Sequence, residues 1–519
     1  MYGRSTTRMK LKNTLLLTSL LLAFSTAHSQ TLIEAFEQSL KHDPAYRAAQ
    51  ANTKAGEADR RIGRATLLPQ LSASLYQGKA ETERSLLNSP RPQVDNTEYD
   101  IKNNAVTLQQ PLINLDGQAR FAQGDLISKQ AQVQEADAKS ILSLRVTTAY
   151  LDILSALDQL RLSESETLAL KERLQLVNAG IEAGETSRTD LAESRAQLDL
   201  ANARLLEAKE SLGLSLRTLE NVTGVKSKSV MFPKTLDISA ITPPPEFDRL
   251  KSRMMVNSPA VINSLFDIRI AEQEVNKQSA GHYPRLDFIA RASQSESDTV
   301  TTIGQRNDQT SYALQLQVPL FSGFAVDASV DKALANLERA RIAWQAQVQE
   351  SAYSLQEEYS KFSVSKIKID AFKKAVDSGR ESLKAAELGL KLGIRTLSDV
   401  LEAQRLLFST EKDLSRVRYE ALASLVNLNA ISGQLNVKTL TEVSELLSKN
   451  SELVEFQRPD LIDTEQPDPR QYELLDFNRP LTQNQEPEKV LVKESNGDNE
   501  TVYSLQDKTS LQAPPSLLE

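Results

Sequence analysis

The segment P-R-L-D-F-I-A-R-A-S, residues 284–293, carries Leu286, Phe288, Ala290 and Ala292 on alternate positions, with Asp287, Arg291 and Ser293 between them and Ile289 as the one exception. A period of two is that of a strand with one apolar face. The alternation returns in S-Y-A-L-Q-L-Q-V-P-L, residues 311–320, where Tyr312, Leu314, Leu316, Val318 and Leu320 interleave with Ala313, Gln315 and Gln317. An upstream pair repeats it, with Leu71, Ala73 and Leu75 in one segment and Val106 and Leu108 beside Thr107 and Gln109 in the next. Pro69 and Pro284 open the first strand of each pair, and Pro111 and Pro319 close the second. Proline disrupts helix interiors and central ladders, so these four mark helix-strand junctions.

Outward from the strands the period becomes helical. Leu142, Val146, Ala149, Ile153, Ala156 and Leu160 are spaced alternately by four and three, and a heptad row runs Leu191, Leu198, Leu205, Leu212, Leu219. From Asp116 to Gly184 one helix would be roughly 100 Å long at about 1.5 Å per residue. A constant spacing of 209 residues carries Gly184 to Gly393, Asp190 to Asp399, Tyr150 to Tyr359 and Gly224 to Gly433. Upstream, Pro44 pairs with Pro259 and Pro69 with Pro284 at a spacing of 215. The chain therefore reads as two copies of a helix-strand-strand-helix unit. Asp43-Pro44 and Ser258-Pro259 begin the first helix of each copy, a capping residue followed by proline at the first helical position.

Arg4, Arg8, Lys10 and Lys12 precede an apolar run from Leu15 to Phe24 and then Ala27-His28-Ser29, the order of a secretory signal cut after Ser29. No later stretch reads as apolar enough for a transmembrane helix, so spanning a membrane would require a β-barrel. The chain has no cysteine, which excludes disulfides, thiolate metal sites and thiol nucleophiles. His28, His42 and His282 fall in unrelated segments, so no catalytic triad or His-rich metal site can be assembled. No enzyme and no cofactor is expected. A net charge of −8 argues against nucleic acid as a partner.

Four strands of roughly ten residues suit a tilted crossing of a bilayer but cannot close a barrel. Open edges in lipid would leave backbone groups unpaired, so copies must pool their strands; three copies give the smallest barrel with an opening. The fold expected is mainly α with a transmembrane β part: a homotrimeric twelve-stranded barrel, with the long coiled-coil helices outside the membrane. A periplasmic adaptor and a poreless structural coiled-coil protein are the alternatives. An adaptor should carry lipoyl-like and β-barrel domains between its helices, and these are absent from the sequence pattern.

At the far ends of the long helices, Gly184 and Gly393 permit the left-handed conformation that stops a helix. The next helices start with Ser187-Arg188-Thr189-Asp190 and Thr396-Leu397-Ser398-Asp399, both capping-box patterns. Asp190 and Asp399 could serve as caps alone. Asp399 and Glu402, three apart, also share a helix face that a threefold axis would gather into an acidic ring.

The two-copy plan resembles the TolC outer-membrane efflux family. The motifs that carry the resemblance are L-L-P-Q-L at 67–71, Q-Q-P-L at 109–112, Q-V-P-L-F-S-G at 317–323 and L-G-I-R-T-L-S-D-V-L-E-A at 392–403. The resemblance spans about residues 31–437. It implies a homotrimer in the cell outer membrane, in contact with its lipid, whose twelve-stranded barrel is continuous with a long helical barrel in the periplasm. It further implies an exit duct for a tripartite efflux pump or type I secretion system. A periplasmic adaptor and an inner-membrane ABC or RND-type transporter are the implied partners, and they would open the helical end. By the same resemblance Asp399 and Glu402 match the family's acidic constriction, and Arg395 and Asp190 match its closed-state links. Leu390 stands where the family's best-known pattern has tyrosine.

The expected division is a signal over 1–29, periplasmic helices over 30–69 and 241–284, strand pairs over 70–111 and 285–319, and coiled-coil helices over 112–240 and 320–442. Residues 78–98 and 294–310 are expected as extracellular loops. A proline-rich, polar tail without order is expected over 443–519.

Overall fold

The computed structural model of the chain describes residues 31–85, 94–184, 186–227, 229–234, 236, 244–299, 302–456, 489–495 and 501–507. The expected signal lies outside them. Two helices, α1 (Leu32–His42) and α2 (Pro44–Ala65), lead to strands β1 (Gln70–Ser85) and β2 (Val94–Ile113). Helices α3 (Leu115–Glu182) and α4 (Arg188–Thr223) follow, and then a short strand β3 (Ser229–Pro233). The order then recurs: α5 (Phe247–Asn257), α6 (Pro259–Ser279), β4 (Arg285–Thr299), β5 (Thr302–Gln317), α7 (Ala325–Lys391) and α8 (Leu397–Ile431). Helix α9 (Val437–Ser448) and strand β6 (Ser451–Glu455) end this unit. A separate unit, 458–519, contains a hairpin of β7 (Lys489–Ser495) and β8 (Thr501–Asp507).

The long strands form one open antiparallel sheet in the order β1-β2-β4-β5, leaving β1 and β5 as edges. Its register aligns the alternation across all four strands. One row runs Leu71, Leu108, Ala290, Tyr312; the adjacent row on the opposite face runs Ser72, Thr107, Arg291, Ser311. The apolar face is open in the single chain, with Leu71, Leu75, Tyr312 and Leu314 all exposed.

Several expectations need correction. The strands are 16, 20, 15 and 16 residues long and run through much of the stretches expected as loops. Ladder hydrogen bonds continue where the apolar alternation has stopped, because alternation records burial of one face and not pairing. Pro69 and Pro284 immediately precede β1 and β4, and Pro319 follows β5, but Pro111 lies within β2, where the register shifts between Pro111 and Ile113. With no N–H to donate, it bulges the ladder instead of ending it. Each short helical segment is two helices that meet at Asp43-Pro44 or Ser258-Pro259. The Asp43 carboxylate accepts from the Tyr46 N–H at 2.8 Å, whereas Ser258 makes no side-chain cap bond.

Order does not end at residue 442 either. Helix α9 buries Leu440, Val443 and Leu447, and β6 pairs with β3, joining Ser229 to Glu455 and Pro233 to Ser451. Proline and acidic composition hid an amphipathic helix and a strand completed only by a partner from the first half of the chain. Finally, α3 does contain an 18-residue window of mean hydropathy 1.3, long and apolar enough for a membrane helix, but 61 % of that window is buried within the chain. Leu142, Val146, Ile153 and Leu154 from this helix meet Leu32 and Phe36 of α1, Leu219 of α4, Val230 of β3, Leu422 of α8 and Leu440 of α9 in the main core. The hydropathy of α3 serves packing.

Helix α2 lies close against α3. A Cβ added at Gly63 would come within 2.7 Å of the Arg120 carbonyl oxygen, and one at Gly124 within 2.7 Å of that of Asp59.

Candidate functional site

The ends of α3 and α7 carry the same backbone device. Gly184 and Gly393 have φ of 77° and 71°, and a Cβ on either would meet nothing within 4 Å, so conformation and not space selects glycine there. At the second turn the Gly393 N–H donates to the Leu390 carbonyl at 3.1 Å and the Ile394 N–H to that of Gly389 at 2.9 Å, a Schellman closure. At the first turn Gly184 donates to Ile181 at 3.0 Å and Thr186 to Gly180 at 3.3 Å.

Each following helix opens with a reciprocal capping box. Asp190 N–H donates to Ser187 Oγ at 3.1 Å and Ser187 N–H to Asp190 Oδ2 at 3.0 Å. Asp399 N–H donates to Thr396 Oγ1 at 3.2 Å, while Thr396 donates to Asp399 Oδ2 through its N–H and its hydroxyl, both at 2.9 Å. The two Thr396 donors, backbone first, hold the Asp399 carboxyl below the ordinary aspartate range, and the charge of Arg395 adds to this. Arg395 Nη1 lies 3.8 Å from Asp399 Oδ1. Within one chain Arg395 thus sits beside the cap of its own helix, and the described contacts of the Asp190 carboxylate are those of its own box.

Glu402 lies one turn further along α8 and is gripped by Arg405 through Nε at 2.9 Å and Nη2 at 2.5 Å. That donation, then the guanidinium charge, lowers the Glu402 pKa. The carboxylates read as an acidic pair in the sequence therefore each have an arginine neighbour at helical spacing, Arg395 for Asp399 and Arg405 for Glu402.

Sequence reading missed three features here. The first is a second glycine pair, Gly180 and Gly389, at the same spacing as the turn glycines: a Cβ at Gly389 would fall 2.5 Å from Cγ of Arg395, and one at Gly180 would fall 2.9 Å from Cγ2 of Thr186. The second is a set of polar contacts between the two coils, in which Ser398 Oγ donates to Glu193 Oε1 at 3.0 Å and Arg173 Nη2 donates to Glu387 Oε1 at 3.1 Å. The third is an apolar cluster where Leu397 and Leu401 of α8 pack on Leu170, Val177 and Ala201, with Leu390 against its margin. The constant spacing between the copies was the signal that could have found the glycine pair; nothing local signals the contacts between coils.

This end of the molecule has two glycine turns, charged side chains at the helix starts, and coils held to one another by a small apolar cluster, an exposed hydrogen bond and a part-buried ion pair.

The sequence matches the outer membrane efflux protein family over residues 35–225 and 250–434. It is 28 % identical over 427 residues to the alkaline protease secretion protein AprF of Pseudomonas aeruginosa, covering 82 % of this chain and 89 % of that one. It is 25 % identical to the outer membrane protein TolC of Escherichia coli, covering 84 % and 90 %. The fold is similar to the solved structure of the outer membrane protein VceC of Vibrio cholerae, with a TM-score of 0.65 at 17 % identity, covering 78 % of this chain and 96 % of that one.

Proposed function

The chain belongs to the outer membrane efflux protein family, and from that premise we propose that three copies assemble into a channel-tunnel whose helical end is a gate. The protein is an outer-membrane exit duct, a member of a family of channels and not of enzymes. The observation that carries the trimer is the open sheet. Its apolar face is continuous over four strands, and its free edges, β1 and β5, run antiparallel to each other. An edge in lipid is untenable, and β5 of one copy has the direction needed to pair with β1 of the next. Three copies then give twelve strands, wide enough for an opening.

The doubled unit is supported by matched helix lengths: 22 and 21 residues for α2 and α6, 68 and 67 for α3 and α7, 36 and 35 for α4 and α8. At about 1.5 Å per residue α3 and α7 extend roughly 100 Å, the length of a tunnel into the periplasm. At its end, Asp399 and Glu402 from three copies form a ring of carboxylates and arginines. Arg395 is exposed and can turn from its own cap to Asp190 of a neighbouring copy. A periplasmic adaptor and an inner-membrane ABC or RND-type transporter open this end. Relatives named for protease secretion, at 28 % and 27 % identity, favour protein cargo over the solvents of a pump component at 22 %.

The decisive experiment is the native mass of detergent-extracted protein with its conductance in planar bilayers. A trimer with a small closed-state conductance is expected, and a monomer stable without detergent would refute the barrel.

A further inference from the structure

Glu166 of α3 is a carboxylate whose side chain is only 6 % exposed, and it meets cations from two other helices. Its Oε1 accepts from Arg204 Nη1 of α4 at 3.1 Å and its Oε2 from Lys412 Nζ of α8 at 2.8 Å. The node therefore ties the α3/α4 coil to α8. Helix α3 from Glu166 to its end at Glu182, α4 from its start at Arg188 to Arg204, and α8 from its start at Leu397 to Lys412 are stretches of nearly equal length. At about 1.5 Å per residue all three side chains sit roughly 24 Å above the turns. The node also breaks the internal repeat: the constant spacing carries Glu166 to Ala375 and Arg204 to Asp413, and Asp413 pairs with Arg416 of its own helix at 2.9 Å.

Contacts between α8 and the first coil continue on either side of the node. Farther from the turns, Ser415 of α8 donates to Asp158 of α3. Nearer the turns the coils are joined by the Leu397 and Leu401 cluster and by the Ser398–Glu193 and Arg173–Glu387 contacts. Separating Lys412 from Glu166 would strip a carboxylate only 6 % exposed of one of its two cations, which is costly. Nearer the turns the carboxylates are more open, Glu387 at 45 % and Glu193 in an exposed hydrogen bond, so water replaces their partners at less cost. A force applied at the turns acts first on the contacts nearest them, the Leu397 and Leu401 cluster included, and reaches the node last.

We propose that Glu166, Arg204 and Lys412 form the pivot of the gate, so that opening moves the helices below the node and leaves α8 docked on α3 above it. This rests on the gate reading given above. The chain has no cysteine, so introduced pairs are unique. The test uses potassium chloride conductance in planar bilayers, in an Arg395→Ala background, with a short bis-methanethiosulfonate, which forms a disulfide with each introduced cysteine as sulfinate leaves and is cleaved by a reductant. Arg395→Ala is expected to raise conductance; no rise would overturn the gate and the pivot together. With the gate open, linking Glu193→Cys to Ser398→Cys should return conductance to the closed level, reversibly on cleavage. Linking Asp158→Cys to Ser415→Cys should leave it open. Closure by this upper link would overturn the pivot while sparing the gate. Glu166→Gln, in the otherwise unaltered chain, should raise closed-state conductance several-fold with the helical circular dichroism intact, because Lys412 and Arg204 are partly exposed and tolerate the loss. Unchanged conductance would reduce the node to packing and overturn the proposal.

Discussion

The two turns at the ends of α3 and α7 share a backbone and differ in chemistry. Both stop on a left-handed glycine, both place a second glycine one helical turn before it, and both restart with a capping box. Yet where the second turn has Arg395 the first has Thr186, whose hydroxyl donates to the Val177 carbonyl at 3.0 Å. Leu397 corresponds to Arg188, Leu401 to Ala192, and Arg405 to Ala196. The backbone is fixed by local requirements that each turn meets within a few residues. The side chains answer to neighbours, and the second turn has acquired the apolar and charged groups that fasten it to the first coil.

If that asymmetry is real in energy, the largest effect comes from the leucines. Leu401 is buried in the cluster with Leu170 and Val177, so Leu401→Ala should destabilise the helical end by about 2–4 kcal/mol. The first turn offers the contrast: Arg188→Ala, at the counterpart of the other cluster leucine, Leu397, should change stability by less than about 0.5 kcal/mol. Denaturant unfolding followed by circular dichroism measures both, and equal effects would erase the distinction between the turns. Next in size are the glycines, where the comparison predicts sameness. Gly184→Ala and Gly393→Ala meet no obstruction, so each should cost about 1–2 kcal/mol, the penalty of a left-handed alanine. A difference between them would show that tertiary strain, and not local conformation, sets the turns.

What the sequence revealed follows the same division. Gly184 and Gly393, the capping boxes and the strand alternation are local signals, and each marks a feature seen in the structure. The strand ends were misjudged because alternation stops where one face ceases to meet apolar surroundings, while pairing goes on to Ser85 and Thr299. β6 escaped notice because its five residues are a strand only in company with β3. The pairing of Glu402 with Arg405 needed only an i,i+3 inspection and was legible in principle. The Ser398–Glu193 contact was not, since it joins residues 205 apart through the packing of two coils.

The smallest effect concerns the charge of the second turn alone. Arg405 holds the Glu402 pKa below its ordinary 4.5, so in the folded chain the carboxylate stays ionised to a lower pH than it would unpaired. A depressed carboxylate contributes its stabilisation above the unfolded value and loses it as pH falls through the folded one. At pH 7 Glu402 is therefore ionised with or without Arg405, and what Arg405 changes is the availability of that charge to a cation in the tunnel. Arg405→Ala should tighten block of single channels by a trivalent cation a few-fold at pH 7. On acidification the same variant should lose the Glu402 part of this block at a higher pH than the parent. The first turn supplies the control, because Glu193 has Ala196 where Glu402 has Arg405. Arg405→Ala with Glu402→Gln should remove the added block altogether. If block and its midpoint are the same in Arg405→Ala and the parent, Arg405 leaves Glu402 when the copies assemble, and the ring at the second turn is acidic and not mixed.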